Sequence, residues 1–241
     1  MTIYNILYAA AIAFEIPFIY LFLKATWPQK CCKSLLYKMT CSTLFILVGC
    51  FSIKISCNYS DYAKFIFTGL VFGWIGDLFL HIVCKRKDML FGFGALSFLI
   101  GHVFYIKAFM LALEKYGANR IITIYEIFIM TVALSIGILY CKHKKINIGT
   151  MRIPAMLYTT ILSLMVAKAV LLAIKTLQFG MPYAYVASAM LVIGSIFFII
   201  SDALLVIINF SKNAKPFKIK AINIITYFAA QILLASSVMF I

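Results

Sequence analysis

Charged residues are scarce in this sequence of 241 residues: they make up 12% of it, whereas hydrophobic residues make up 65%. Soluble domains carry roughly 25% charged residues, so this composition excludes a water-soluble enzyme or binding module. A helix needs about 20 apolar residues to cross the ~30 Å of hydrocarbon in a bilayer. The chain has room for about eight such helices, and we expect residues 1–241 to form a single multi-pass transmembrane domain.

Acidic residues are the scarcest charged group, with seven Asp and Glu against 22 Lys and Arg. The net charge of +15 would suit a nucleic-acid partner, but the basic residues occur in small groups between apolar runs. A duplex needs a continuous basic stripe, which this pattern does not build. We therefore expect no nucleic-acid partner and assign the basic residues to membrane topology.

Motifs for nucleophilic and metal-dependent catalysis are also missing. The sequence has no G-x-S-x-G motif, which argues against an acyl-enzyme route. Its three histidines and seven cysteines show no ligand spacing such as C-x-x-C, so we expect no metal, no cofactor and no disulfide framework. Cys31 and Cys32 lie beside a predicted helix end, where they are either palmitoylated or small apolar residues.

Eight long apolar runs are separated by charged or turn residues. A run of this length must satisfy its own backbone hydrogen bonds in lipid, and no alternating barrel pattern is present, so each run predicts a helix. The predicted spans are 3–23, 35–53, 64–84, 89–112, 121–140, 151–174, 182–208 and 219–240. They predict an all-α membrane protein with eight transmembrane helices.

Basic residues alternate between the connections. Fourteen lie in the connections after the first, third, fifth and seventh spans, and five lie in those after the second, fourth and sixth. Because cytoplasmic connections are enriched in Lys and Arg, this bias predicts that both termini are non-cytoplasmic. We expect the membrane to be a bacterial inner membrane or a eukaryotic endomembrane.

The third and seventh spans share a pattern at a separation of 125 residues. The seventh span comes four spans after the third, so the two copies run in the same direction. This arrangement suggests a parallel four-plus-four repeat with a pocket between the halves. The matching residues are Gly69, Phe72, Gly76, Asp77 and Leu80, opposite Gly194, Phe197, Ser201, Asp202 and Leu205.

Three acids, Glu15, Asp77 and Asp202, lie well inside the predicted spans. An intramembrane carboxylate costs about 2.5–3.5 kcal/mol on insertion scales and normally marks a functional polar interior. Each aspartate lies about seven residues, or ~10 Å, from the cytoplasmic end of its span, so the two share a depth. The structural alternative is that each acid pairs with a buried cation. The candidate cations are Lys38, Lys107 and Lys168.

Further polar residues inside the spans would converge on one cavity from several helices. His102 and Tyr105 share a face of the fourth helix, and Tyr227 and Gln231 share a face of the eighth. Tyr158 lies in the sixth helix. Such residues are often interhelical hydrogen-bond partners rather than catalysts.

An alternative metal site consists of Asp77, His81 and His102. His81 follows Asp77 by one helical turn, but no ligand motif supports the set, so we do not favour a metal site.

Five segments, each on a separate predicted helix, contain sequence motifs that occur in a fixed order. They are GLVFGWIGDLFL at 69–80, FGFGALSFLIGHVFYIKAF at 91–109, LYTTILSLM at 157–165, GSIFFIISDALLVIINF at 194–210 and ITYFAAQ at 225–231. The elements G-D-x-x-L, G-H-x-x-Y, S-D-x-L-L and Y-x-x-A-Q occur in this order. Together they resemble the lysoplasmalogenases, the YhhN-type multi-pass membrane proteins. Lys33 resembles the family's lysine at the start of the second helix, although Ser34 stands where the family usually has proline.

The resemblance implies hydrolysis of the vinyl-ether bond of a lysoplasmalogen to a fatty aldehyde and glycerophosphoethanolamine or glycerophosphocholine. It implies Asp77 and Asp202 as the catalytic residues. Residues expected to line the site or bind substrate are Lys33, His102, Tyr105, Tyr158, Ser201, Tyr227, Gln231 and Glu15. Lys33 is equally well a topology residue. The expected partners are a lysophospholipid and membrane lipid, and the oligomeric state is left open.

Vinyl-ether hydrolysis begins with protonation of the β-carbon, which gives an oxocarbenium ion that water captures as a hemiacetal. The step needs a carboxylic acid that still carries its proton near neutral pH, while a second, ionised carboxylate would stabilise the cation as in glycosidases. Two aspartates at one depth fit this division of roles, and either of them can be the acid.

Two alternatives use the same residues differently. A transporter or channel would use the buried carboxylates to relay protons or bind cations. A metal-dependent lipid amidase would need more histidines than the three in this chain.

Overall fold

Eight α-helices account for most of the described chain. The computed structural model describes residues 3–26, 32–56, 60–82, 87–118, 122–144, 146, 148–211 and 216–241. The helices are α1 (Ile3–Thr26), α2 (Cys32–Ser56), α3 (Asp61–His81), α4 (Lys87–Glu114), α5 (Ile124–His143), α6 (Arg152–Gln178), α7 (Ala184–Phe210) and α8 (Phe217–Ser237). A single 3-10 turn, Gly149–Met151, precedes α6, and the described residues contain no strand.

Each predicted span is confirmed as a helix, with ends that differ from the prediction by at most four residues. All eight helices are long and apolar enough to cross a membrane. The chain is therefore an all-α, multi-pass membrane protein. Part of the predicted topology rests on loop residues outside the described ranges, as does the palmitoylation prediction for Cys31. These loop residues are Lys30, Lys85, Arg86, Arg120, Lys145, Lys212 and Lys215.

Six of the described helices form a closed ring in the order α2, α3, α4, α6, α7 and α8. Each packs against the next, and α8 closes the ring by packing against α2. Outside the ring, α1 lies against α2 and α8, and α5 lies against α6. The ring therefore encloses an interior that is formed by both halves of the chain.

The neighbour relations in the first half recur in the second. The contacts of α2 with α3 and of α3 with α4 correspond to those of α6 with α7 and of α7 with α8. The contact of α2 with α8 likewise corresponds to that of α6 with α4. This arrangement agrees with the suggested four-plus-four repeat. The halves differ in that α1 also packs against α8, whereas α5 packs against α6 alone among the described helices.

Glycines allow α3 and α4 to pack closely. A Cβ atom at Gly69 would overlap the ring of Tyr105, and one at Gly76 would lie 2.8 Å from the ring of Phe98. Small residues at helix contacts are typical of membrane proteins, because they let the backbones approach. The two glycines thus provide the space in which the Tyr105 and Phe98 rings lie against α3.

A buried ion pair joins α5 to α6. Lys168 Nζ lies 2.9 Å from Glu126 Oε1, and the two side chains are 1% and 3% exposed. Glu126 also caps its own helix, because its Oε2 accepts a hydrogen bond from the Thr123 backbone amide at 2.7 Å. Glu126 is not one of the three acids predicted well inside the spans. Its spacing of three positions from Thr123 is that of a capping box, and this spacing could have identified its role at the start of α5.

We expect Lys168→Met to destabilise the protein by about 3–5 kcal/mol, because the Glu126 carboxylate is then left buried without its cation. The measurement is the Tm of the purified variants in detergent. Lys64→Met is the matched control, since Lys64 pairs with Asp61 at 2.9 Å on the surface and an exposed ion pair contributes about 0–1 kcal/mol. Equal Tm values for the two variants would contradict a stabilising role for the buried pair.

Candidate active site

Asp77 is the centre of a buried polar cluster that joins α2, α3 and α8. Its side chain is 1% exposed, and its Oδ1 lies 2.8 Å from Lys38 Nζ. Its Oδ2 accepts hydrogen bonds from Ser42 at 2.6 Å and from Tyr227 at 2.7 Å. The pairing alternative considered from the sequence thus holds for Asp77, because Lys38 supplies a buried cation. Both of its carboxylate oxygens have partners.

Hydrogen bonds continue from this cluster to α4. Gln231 Nε2 donates to the Tyr227 hydroxyl at 3.1 Å, and Gln231 Oε1 accepts from the Tyr105 hydroxyl at 2.7 Å. All three side chains are buried. The structure therefore brings the predicted residues Tyr105, Tyr227 and Gln231 together with Asp77 in one chain of hydrogen bonds.

Asp202 belongs to a second cluster, which joins α4, α6 and α7. The Tyr158 hydroxyl donates to Asp202 Oδ2 at 2.7 Å, and His102 Nε2 lies 3.5 Å from the same oxygen. His102 Nε2 also lies 3.0 Å from the Tyr158 hydroxyl. The Asp202 side chain is 15% exposed. Within the described ranges no hydrogen-bond donor reaches its Oδ1, and this oxygen is not one of the fully buried side-chain atoms that lack a partner.

The two clusters are built in the same way. Each aspartate is contacted by the helix that precedes its own and by the last helix of the opposite half. The contact from that last helix is Tyr227 for Asp77 and His102 for Asp202. Tyr227 and His102 are 125 residues apart, as are the two aspartates. The repeat spacing therefore holds for these site residues, but one half uses a tyrosine where the other uses a histidine.

A narrow crevice lies between the two clusters. It is lined by residues of α3, α4, α7 and α8, and so occupies the place expected for a pocket between the halves. The lining residues are Gly69, Gly73, Phe98, Gly101, His102, Tyr105, Phe198 and Gln231. The walls are too close together to admit a water-sized sphere. A ligand can therefore enter only when lining side chains move.

The polar groups around the crevice favour a cation over an anion. The hydroxyl groups of Tyr105, Tyr158 and Tyr227 all donate to side-chain oxygens. Their protons are therefore not free to form hydrogen bonds to a ligand. The faces of the lining aromatic rings carry negative potential. An oxyanion would instead need donors aimed at the developing charge, and these hydroxyls do not provide them.

His102 has a ring nitrogen without a hydrogen-bond partner among the described residues. This nitrogen, Nδ1, is buried, whereas Nε2 faces Tyr158 and Asp202. Buried polar atoms without partners are rare in proteins. Because His102 lines the crevice, its Nδ1 can meet a water molecule or a substrate there once the lining side chains move apart.

Three predicted site residues belong to neither cluster and do not line the crevice. Ser201 is buried, and its hydroxyl accepts a hydrogen bond from Asn223 of α8 at 3.1 Å. Lys33 is exposed at the start of α2. Glu15 is buried on α1 and interacts electrostatically with Asp77, and neither of its carboxylate oxygens has a hydrogen-bond partner in the described part of the chain. Substrate binding by these three residues stays a prediction.

The aspartates lie at unequal distances from their helix ends. Asp77 precedes the last residue of α3 by four positions, and Asp202 precedes that of α7 by eight. The prediction of about seven positions for both is wrong for Asp77, because the backbone leaves the helical conformation at Ile82. The correspondence of the two residues rests on the repeat spacing and the shared crevice.

The residues of the alternative metal set lie in different environments. His81 Nε2 lies 2.7 Å from Ser34 Oγ, and its ring packs edge-on against Phe22. Asp77 and His102 belong to the two separate clusters described above.

Ser42 and Phe198 are site residues that were not predicted from the sequence. Ser42 follows Lys38 by one helical turn, and Phe198 precedes Asp202 by one turn. Residues four positions apart share a face of a helix, so this spacing is the signal that could have identified both. Their residue types give no signal, because serine and phenylalanine are common in membrane helices.

The family model of the YhhN family matches residues 33–238. The matched range contains both polar clusters and the crevice, whereas α1 with Glu15 precedes it. No curated protein and no solved structure matches the chain.

Proposed function

The chain belongs to the YhhN family, and we propose on this basis that it is a lysoplasmalogenase. Membership supports a lysoplasmalogenase-type hydrolase at the level of the family. The proposed substrate is a lysoplasmalogen, and the products are a fatty aldehyde and glycerophosphoethanolamine or glycerophosphocholine. The roles of the individual residues are inferred from their contacts.

The observation that carries the proposal is a crevice suited to a cation, with an aspartate cluster on either side. Protonation of a vinyl ether creates an oxocarbenium ion, whereas hydrolysis of an ester passes through an oxyanion. The tyrosine hydroxyls already donate to side-chain oxygens, and aromatic rings line the crevice. Both features favour the oxocarbenium ion over the oxyanion. Vinyl-ether hydrolysis therefore fits these surroundings better than ester hydrolysis does.

Asp202 is the better candidate for the acid. Its Oδ1 meets no donor among the described residues, so a proton on that oxygen displaces no existing contact. Asp77 has an ammonium group at one oxygen and two hydroxyl donors at the other. A proton on Asp77 would displace one of these partners. Asp202 would therefore donate its proton to the β-carbon of the substrate.

His102 would act as the general base for the attacking water and later as the general acid for the leaving group. Its Nδ1 accepts a proton from water as the water oxygen bonds to the oxocarbenium carbon, which gives a hemiacetal. When the hemiacetal collapses, His102 returns that proton to the leaving glycerol oxygen, and Asp202 takes the proton of the hemiacetal hydroxyl. Both side chains then regain their starting protonation states, as general acid–base catalysis requires.

Asp77 would act as a fixed carboxylate that positions the other wall of the crevice. It holds Tyr227, which is bonded to Gln231, which in turn holds Tyr105. Tyr105 and Gln231 line the crevice directly. This role differs from that expected from the sequence, in which either aspartate could be the acid.

The location in a membrane suits a single-chain amphiphile as substrate. Its hydrocarbon tail would lie among apolar helices, and its phosphate would lie near the basic residues at the predicted cytoplasmic side. Exposed Lys33 at the start of α2 would supply one positive charge there.

The test is the release of fatty aldehyde from lysoplasmalogen by the purified protein in detergent micelles. We expect turnover, because a hydrolase needs no gradient, whereas a transporter has no measurable activity without two compartments. Asp61→Asn is a suitable control variant, since Asp61 is exposed and far along α3 from the crevice. A folded wild-type protein that releases no aldehyde would contradict the proposal and favour the transporter alternative.

A further inference from the structure

We infer that Phe198 is a further catalytic residue, whose aromatic ring stabilises the oxocarbenium ion during vinyl-ether hydrolysis. The inference rests on the proposed function and adds a residue that neither the motifs nor its charge would single out.

Phe198 lies at the meeting point of the two polar clusters. Its ring centroid is 5.2 Å from that of His102, 6.0 Å from that of Tyr105 and 6.2 Å from that of Tyr227. His102 belongs to the Asp202 cluster, whereas the two tyrosines belong to the hydrogen-bond chain of Asp77. The side chain is 1% exposed and lines the crevice. Any substrate bond that both clusters can reach is therefore close to Phe198.

The position of Phe198 along α7 links it to the proposed acid. It precedes Asp202 by one helical turn, so the two side chains share a face of the helix. A vinyl ether placed for protonation by Asp202 would thus have its reacting carbons beside the Phe198 ring.

The charged groups around the crevice do not by themselves account for stabilisation of the cation, and an aromatic ring can contribute to it. Asp77 is already paired with Lys38, which reduces the attraction it can exert on a distant cation. Asp202 is neutral before it donates its proton and becomes an anion only as the cation forms. A ring within about 6 Å of a cation contributes through its quadrupole, and desolvation strengthens this interaction. Phe198, with Phe98 and Tyr105 on the same lining, can therefore stabilise the cation directly.

The experiment replaces Phe198 by mono-, di- and trifluorophenylalanine through unnatural amino-acid incorporation. Each fluorine withdraws electron density from the ring face while the shape changes little. We expect log kcat to fall in step with the number of fluorines, by about threefold to thirtyfold over the series, as expected for a cation–π contribution. KM should change much less, because the substrate itself is uncharged at the vinyl ether.

The matched control is the same series at Phe109. Phe109 lies on α4 and is fully buried, as Phe198 is on α7. Its ring packs against Tyr62 and does not line the crevice. We expect its kcat to stay within about twofold of wild type. A flat series at Phe198, or an equal decline at Phe109, would overturn the role of Phe198. If the wild-type protein releases aldehyde in either case, the proposed function still stands.

A second measurement uses binding rather than turnover. A lysolipid analogue that carries a protonated amine in place of the ether oxygen mimics the cation, and the saturated alkyl ether is its neutral counterpart. We expect trifluorophenylalanine at position 198 to weaken inhibition by the amine by about threefold to thirtyfold and to leave inhibition by the alkyl ether unchanged. Equal weakening of both inhibitors would indicate a packing effect and would overturn the inference.

Discussion

Asp202→Asn should lower the rate of aldehyde release by about 10²–10⁴-fold, which is the usual contribution of general acid–base catalysis. Asparagine keeps the shape of the side chain and can still accept the hydrogen bond from Tyr158, but it has no proton to give to the β-carbon. The side chain is 15% exposed and has no lysine partner among the described residues, so the substitution leaves no buried cation behind. We therefore expect the Tm to change little.

The measurement for this variant is kcat beside Tm, both on detergent-purified protein. Asp61→Asn, at the exposed start of α3, is the control for the loss of a carboxylate elsewhere. A loss of activity below tenfold in Asp202→Asn would remove Asp202 from the role of acid.

Asp77→Asn should reduce activity by about 100-fold, because it disturbs the crevice wall that Asp77 positions, and should also destabilise the protein by about 3–5 kcal/mol. The second effect arises because Lys38, whose side chain is 11% exposed, is left without its counter-charge. From the sequence alone both Asp→Asn variants are expected to stay folded. The ion pair with Lys38 changes that expectation for Asp77.

The double variant Lys38→Met with Asp77→Asn separates the two effects. Removing both members of a buried ion pair is often nearly neutral for stability, so the Tm should recover most of its loss. Activity should stay low, because the hydrogen bond from Tyr227 to a neutral amide is weaker than the one to a carboxylate, so Gln231 and Tyr105 are held less firmly. Recovery of kcat together with Tm would show that Asp77 serves stability alone.

Much of the fold could be predicted from the sequence, because membrane helices impose strong constraints. A span must be apolar and about 20 residues long, and this requirement located all eight helices. Polar residues are expensive in hydrocarbon, so those found in the spans were informative. Asp77, Asp202, His102, Tyr105 and Gln231 were identified in this way, and the structure places them in the two clusters or along the crevice.

The pairing of side chains across helices could not be predicted in the same way. The rotation of each helix about its axis is set by packing, which the hydropathy pattern does not encode. Lys38 was therefore only a candidate cation, and the structure was needed to pair it with Asp77 rather than with Asp202. Ser201 is predicted to line the site, and its hydroxyl accepts a hydrogen bond from Asn223 on α8. Adjacent residues in a helix point in directions about 100° apart, so Ser201 and Asp202 contact different neighbours.

The proposed reaction begins with protonation of a carbon–carbon double bond. Three lysolipids of one chain length and head group test it, namely the vinyl ether, the saturated alkyl ether and the acyl ester. Only the vinyl ether has a β-carbon whose protonation gives a stabilised oxocarbenium ion. The ester would need a nucleophile or oxyanion donors. Tyr105 in the crevice wall and the nearby Tyr158 and Tyr227 already donate to side-chain oxygens and do not supply such donors.

The most direct measurement is the initial rate of cleavage of these three lipids by the wild-type protein in detergent. We predict turnover of the vinyl ether alone, with the alkyl ether acting as a competitive inhibitor because its tail and phosphate contacts are unchanged. Cleavage of the alkyl ether or the ester at a rate similar to that of the vinyl ether would contradict the protonation mechanism.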